Sequence, residues 1–368
     1  MSVQPPVVLI IFNRPELTRQ VFQAIRQAQP AQLFVIADGP RLDHPDDRAL
    51  CTQARQITER VDWPCDVLRN YSAGNLGCGR RVASGLDWVF AQAEAAVILE
   101  DDTLPSASFF PFCQELLQRY RNDERVMYIT GRNNLGRWSH GTASYFLSRQ
   151  GSVWGWATWR RAWSLYDFRL EKFSDWDVEG ILCRNFPDRE FAARHGWRFR
   201  QCVGRELGTW DVQWGMVNML YGGLCIVPTL NLVTNLGCHL EATHTRNPED
   251  VRARVPTFSL PFPLVHLPGA LEDHVDNRFV RWDELFALIS EYRDVHTLYL
   301  FHRTLARNPG IRLPGVSAGV TYTLMPLRYP NEALQVLEYM QNYLSGNKEL
   351  ERLIDGFRRV AKLSAGER

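Results

Sequence analysis

Glu100, Asp101 and Asp102 follow one another in the stretch AAVILEDDTLPS, directly after a run of apolar residues. In an extended chain Glu100 and Asp102 point to one face and Asp101 to the other. Three adjacent carboxylates repel one another, and the first borders an apolar strand where desolvation raises the cost of its charge. A positive partner is therefore required. A hard divalent cation, Mn²⁺ or Mg²⁺, would serve, taking carboxylate oxygen while leaving coordination positions open to phosphate oxygens. The plainer alternative is a solvated loop, or the N-terminal cap of a helix in SASFFPFCQELL.

Four other polar residues sit where a phosphate or nucleotide could be met. Asn13 and Arg14 end the apolar run VVLIIF just before a helix, where backbone donors and a guanidinium can converge on an anion. Asp38 ends QLFVIADGP and is expected to accept hydrogen bonds from a base or ribose, although taken singly it is a turn aspartate. Arg80, with Arg81, follows the Gly-rich loop NYSAGNLGCG and is a candidate for a diphosphate. That loop is not a Walker sequence and only loosely matches a dinucleotide fingerprint, so neither an ATPase nor a dehydrogenase is indicated.

Trp154, Trp156, Trp159 and Trp163 lie close together, and Trp210 and Trp214 flank Asp211. An indole joins a broad apolar face to an N–H donor, which suits a sugar ring, yet core packing is its commoner role. Trp159 and Trp163 are assigned to the core. Trp154, Trp156 and Trp210 are assigned to the walls of a binding site. Asp211 between aromatics would be partly desolvated and improved as a general base, whether or not it also caps a helix. His244, in ATHT, is a further candidate metal or phosphate contact.

The elements that must position these residues alternate. Strands are expected at PPVVLIIF, QLFVIA, Cys65 to Arg69 and AAVILE, with helices at ELTRQVFQAIRQA and RRVASGLDWVFAQ between them. Such alternation implies a doubly wound, mostly parallel α/β sheet with ligands at the carboxyl ends of its strands, where Asn13, Arg14, Asp38 and the acidic triplet all fall. Farther on, LCIVPTLNLVTNLG is strand-like and VPTFSLPFPLVHLPG is an extended, proline-rich wrap. Beyond it, ELFALISEYRDVHTLYLFHRTLA and residues Glu332 to Leu363 read as helices. The expected division is a catalytic unit over residues 1–270 and a proline-containing wrap with a helical C-terminal extension over 271–368.

Composition narrows the partners. The 368 residues carry 42 basic and 41 acidic side chains, a formal charge of +1, so nucleic acid is not expected. Lys172, Lys348 and Lys362 are the only lysines. Eight cysteines are dispersed without zinc-ligand spacing and read as reduced thiols. VVLIIF is too short to span a membrane and lacks the flanks of a signal peptide, so a cytoplasmic location is expected.

Taken in order, VLIIFNRPELT, VIADGP, GLDWVF, VILEDDTLPSASFFPFC, GSVWGWATWRRAW, TWDVQW and LNLVTNLGCHLEATHT resemble the nucleotide-diphospho-sugar transferases of the glycosyltransferase-A fold. The nearest likeness is to the branch around N-acetylglucosaminyltransferase I and its bacterial relatives, over about residues 5 to 270. The resemblance implies that Asp102 binds Mn²⁺ and that Glu100 and Asp101 face the ribose and donor sugar. It places Arg14 at the diphosphate, Asp38 at the uracil, Asp211 as catalytic base and His244 in a late loop over the nucleotide. The implied activity is inverting transfer from a UDP-sugar, with UDP-N-acetylglucosamine the family's best-known donor, to a hydroxyl of a glycan or lipid-linked acceptor. Unlike the membrane-anchored animal enzymes, this chain starts at its first strand, and a bacterial, cytoplasmic origin is expected.

Two other classes compete. A sugar-nucleotide-forming nucleotidyltransferase would carry a Gly-rich first loop with Arg and Lys, where this chain has FNRPELT and no lysine before Lys172. A non-catalytic sugar-nucleotide-binding module would not need Asp211. Finally, NKELERLIDGFRRVAKL is amphipathic, with Leu350, Leu353, Ile354, Phe357 and Val360 on one face. It is expected to pack on the catalytic unit or a second subunit, or to give peripheral contact with the inner face of the plasma membrane through Arg352, Arg358, Arg359 and Lys362.

Overall fold

Strand β1 (Val7–Ile11) is buried along its whole length because it lies inside the sheet with helices on both faces. Val7, Leu9 and Ile11 pack into one apolar layer, and Val8 and Ile10 into the other. Helix α1 (Pro15–Ala28) returns the chain to β2 (Gln32–Ala37), and α2 (Asp47–Thr58) leads to β3 (Asp66–Tyr71). Helix α3 (Cys78–Phe90) then crosses to β4 (Ala95–Glu100). All three pairings in the order β3-β2-β1-β4 are parallel, as the alternation predicts. A computed structural model describes residues 4–138, 141–186, 188–237, 251–253, 255–290, 292, 294–307 and 325–365.

The second half of the sheet is mixed. After β5 (Thr103–Pro105) and α4 (Phe109–Arg119) come β6 (Val126–Thr130), β7 (Tyr145–Ser148) and β8 (Trp156–Trp159). Helices α5 (Arg160–Trp163), α6 (Val178–Asn185), α7 (Arg189–Cys202) and α8 (Asp211–Leu220) precede β9 (Leu224–Pro228) and β10 (Val233–Asn235). The eight-stranded order is β3-β2-β1-β4-β8-β6-β9-β7, and β10 pairs with β5 in a separate two-stranded ribbon. Strand β8 runs antiparallel to both β4 and β6, so the aromatic segment supplies a central strand rather than a loop.

The proline-rich wrap is present without helix or strand over 255–269, tied down by Ser108 Oγ, which accepts from Leu260 N at 3.0 Å. Beyond it lie α9 (Asn277–Ile289), α10 (Val295–Arg307) and helices Pro330–Gln341 and Lys348–Ala365. These helices share one apolar cluster with the face of the sheet that carries Val8, Ile10 and α3. Leu350, Leu353, Ile354, Phe357 and Val360 are buried in it, so the apolar face packs on the rest of the chain, the first of the placements expected for it. Of its basic residues, Arg352 pairs with Glu349 and Arg358 with Glu338. Among the described residues no helix is long and apolar enough to cross a membrane, and none of the seven described cysteines forms a disulfide.

Candidate functional site

The strand order reverses direction around β1, and a crevice opens where the chains leaving β1 and β4 diverge. A cavity of about 540 Å³ lies there. Arg14, Asp38, Glu100, Asp101, Asp102, Trp154, Trp210 and Asp211 all line it.

Arg14 is held by its position between β1 and Pro15, the first residue of α1. Its Nη1 donates to Asp102 Oδ2 at 2.8 Å and approaches Asp101 Oδ1 at 3.4 Å. Asp101 also accepts from Phe12 N at 3.1 Å, tying the end of β4 to the end of β1. Burial opposes the charge of Arg14, but Asp101, Asp102 and Glu100 outweigh it and keep the guanidinium protonated. Burial pushes Asp101 up to about 7, against the pull of Arg14 and with the help of Asp102. Burial and the neighbouring carboxylates also push Glu100 well above the ordinary range. Acid is in excess around the cavity: five carboxyl groups and three arginines, Arg14, Arg41 and Arg81, line it, and Arg14 is the arginine bonded to the triplet.

Oxygen-only donors beside a surplus of negative charge fit a hard divalent cation. Packing around Asp102 agrees. Leu236 N donates to Asp102 O at 2.7 Å, and a Cβ at Gly237 would stand 2.1 Å from Asp102 Oδ2, so glycine is what lets that loop close over the carboxylate. Among the described residues no group of three or more His, Cys, Asp or Glu is placed to hold a metal ion. His244 lies outside the described residues.

Asp211 occupies the first position of α8, where a negative charge is favoured by the helix dipole. Its carboxylate is exposed and accepts a hydrogen bond from Thr209 Oγ1. The aromatic burial expected for it is not found, because Trp210 and Trp214 turn into the core at 2% and 1% exposure. Asp211 nonetheless stands close enough to the triplet to add to the upward shift of Glu100.

Several residues singled out from sequence are placed elsewhere. Trp156 is not a wall of the cavity: it is fully buried in β8, stacked on Trp210 with ring centroids 5.5 Å apart. Arg80 points out to solvent and pairs with Glu206, whereas Arg81, one residue on, is buried and donates to Ala37 O and Asn70. Asn13 does not line the cavity and donates to Asp47 Oδ1 at 2.7 Å. Asp38 lines it, but its acceptor positions are filled by the amides of Gly39, Leu76 and Gly77 and by Asn75 Nδ2. It organises the Gly-rich loop instead of waiting for a base or ribose. Trp154 is half-buried in the cavity wall, its ring against the Arg132 guanidinium.

Arg41 and Asn75 line the cavity without having been singled out. Arg41 follows the ADGP turn, and its bond to Asp47 at 2.7 Å returns it over the strand end. The proximity of an arginine to a strand-ending aspartate was the available signal.

No protein-family model matches the chain, and no curated protein matches it. Among solved structures it is similar to a mannosyltransferase from Pyrobaculum calidifontis in complex with GDP-Man and Mn²⁺, at 12% identity and a TM-score of 0.36, covering 95% of this chain and 85% of that one. It is similar also to UDP-glucose pyrophosphorylase complexed with UDP-glucose, at 8% identity and a TM-score of 0.32, covering 62% and 91%. Mouse xyloside xylosyltransferase 1 in its apo form aligns at 10% identity and a TM-score of 0.32, covering 61% and 84%. At these scores the likeness carries no argument about substrate or mechanism.

Proposed function

We propose that the chain is a metal-dependent glycosyltransferase that moves a sugar from a nucleoside-diphosphate donor to an acceptor hydroxyl with inversion. One observation supports this above the others: a single cavity at the strand ends holds both the Arg14-bridged acidic triplet and a separate, helix-borne carboxylate, Asp211. A diphosphate beside the triplet calls for positive charge beyond the Arg14 guanidinium, which is already bonded to Asp102.

Asp102 would hold Mn²⁺ or Mg²⁺, which when bound neutralises charge on the departing nucleoside diphosphate. Arg14 presents its guanidinium to the same oxygens and holds Asp101 and Asp102 in register. Trp154 offers an indole face to the donor sugar and narrows access for water. Asp211, exposed at the first position of α8, accepts the proton of the attacking hydroxyl at its carboxylate oxygen. UDP-N-acetylglucosamine is the first donor to try, on the resemblance of the motifs to the N-acetylglucosaminyltransferase I branch. A nucleotidyltransferase is less well supported, since no lysine is among the described residues lining the cavity.

Product analysis with a panel of UDP- and GDP-sugars, Mn²⁺ and hydroxylated acceptors tests the reading. Transfer is expected, and Asp211→Asn is expected to slow it about 10²–10⁴-fold with nucleotide binding retained. Near-full turnover in that variant would remove Asp211 from the chemistry, and pyrophosphate released from a nucleoside triphosphate and a sugar 1-phosphate would favour the nucleotidyltransferase.

A further inference from the structure

A second cavity, of about 290 Å³, adjoins the first. Val153, Trp154, Asp211 and Val212 line both, so the two meet at Asp211. The lining of the second is unusual in what it leaves unsatisfied. Of the twelve buried side-chain nitrogen and oxygen atoms without a partner among the described residues, six belong to residues on its walls. They are Gln150 Oε1, both ring nitrogens of His195, Trp214 Nε1, Asn218 Oδ1 and Asp283 Oδ1. His195 and Trp214 are 1% exposed and Asn218 2%. Although His195 Nε2 lies near Glu284, the separation is 3.5 Å, too long for a good hydrogen bond.

Buried polar atoms in folded proteins nearly always have partners. These six have almost no accessible surface, so an occupant of the cavity meets instead the side chains that face it.

Positive charge accompanies them. Among the described residues Arg198, on α7, has no partner and Arg149 donates only through Nη1, to Gly222 O at 3.2 Å. Arg252 lines the cavity as well. Against them stand Asp211 and Asp283, and burial pushes Asp283 up to about 7, which weakens its opposition. Water could fill the cavity, but it gives no reason for the Arg149 and Arg198 guanidiniums to keep donors open among the described residues.

We propose that this second cavity is the acceptor subsite and that it takes a saccharide carrying an anionic group, phosphate or carboxylate, with the anion on Arg149 and Arg198. The proposal rests on Asp211 being the base of the transfer, since that residue would then touch the donor on one side and the acceptor hydroxyl on the other.

The test is saturation-transfer NMR on the full chain with glucose, glucose 1-phosphate and glucuronate, each with and without UDP and Mn²⁺. UDP binding is followed separately. One or both anionic sugars are expected to bind about ten-fold or more tightly than glucose, and the better of the two identifies phosphate or carboxylate as the anion. Arg198→Ala, which breaks no described contact, is expected to abolish the preference and leave UDP binding unchanged. Arg149→Ala should weaken it independently. Equal binding of glucose, retention of the preference in both variants, or binding of UDP with no sugar bound would overturn the proposal while leaving the donor site intact. Binding of an anionic sugar without any binding of UDP would overturn its role as an acceptor site together with the transferase reading.

Discussion

Arg14 Nη1 stands 2.8 Å from Asp102 Oδ2, joining the ends of β1 and β4 across 88 positions of sequence. This bond fixes the geometry of the triplet before any ligand arrives, and it concentrates one cation and several carboxylates where a charged group must be bound.

Asp102 depends equally on the loop above it. Replacing Gly237 by alanine would put a Cβ 2.1 Å from Asp102 Oδ2, so the carboxylate or the loop must shift. Gly237→Ala is expected to weaken metal-dependent nucleotide binding about ten-fold or more, through a displacement of the order of 1 Å. Circular dichroism should show an unchanged fold, and calorimetric titration reads the loss. An unchanged affinity would mean that the position of Asp102 is not critical.

The tryptophans separate into two kinds that a stability measurement distinguishes. Trp156→Ala empties the centre of the sheet and is expected to cost about 3–5 kcal/mol, whereas Trp154→Ala, at the half-buried wall, should cost less than about 1 kcal/mol. Urea denaturation checks both. Similar losses would show that Trp154 is also structural.

Asp47 gives a pH dependence whose sign is determined. Arg41, opposed by burial and helped by Asn13, lowers its carboxyl from 3.8 to about 2. The folded form thus binds the proton more weakly than the unfolded form. The resulting stability is complete above about pH 4 and disappears as pH falls through about 2. Allowing for screening around half-exposed Arg41, the contribution is about 1–2 kcal/mol. Asp47→Asn should lose that amount at neutral pH and show a flatter stability profile between about pH 4 and 2. A parallel profile in the variant would contradict the assignment.

Much of the parallel half was legible because its strands are continuous apolar runs whose polar residues begin where the sheet ends. VVLIIFNR and AAVILEDD carry both the strand and its site residues, and the structure places Arg14 and the triplet together. Strand β8 was not legible as a strand, since a central strand buried on both faces shows no alternation of polarity. That is why Trp156 looked like a wall residue. Arg80 and Arg81 differ only by the rotation of one helical residue, about 100°, which sends one to solvent and the other under the sheet end. The second cavity had no sequence signature, because Gln150, His195, Asn218 and Asp283 come from separate segments brought together only by α7, α8 and α9.

Calorimetric titration of UDP into the protein and its Asp102→Asn variant, each with and without Mn²⁺, tests the central claim most directly. The account predicts binding by the wild type that requires Mn²⁺ and falls at least about ten-fold in the variant. Binding that ignores both the metal and Asp102, or no binding of UDP under any condition, would contradict it.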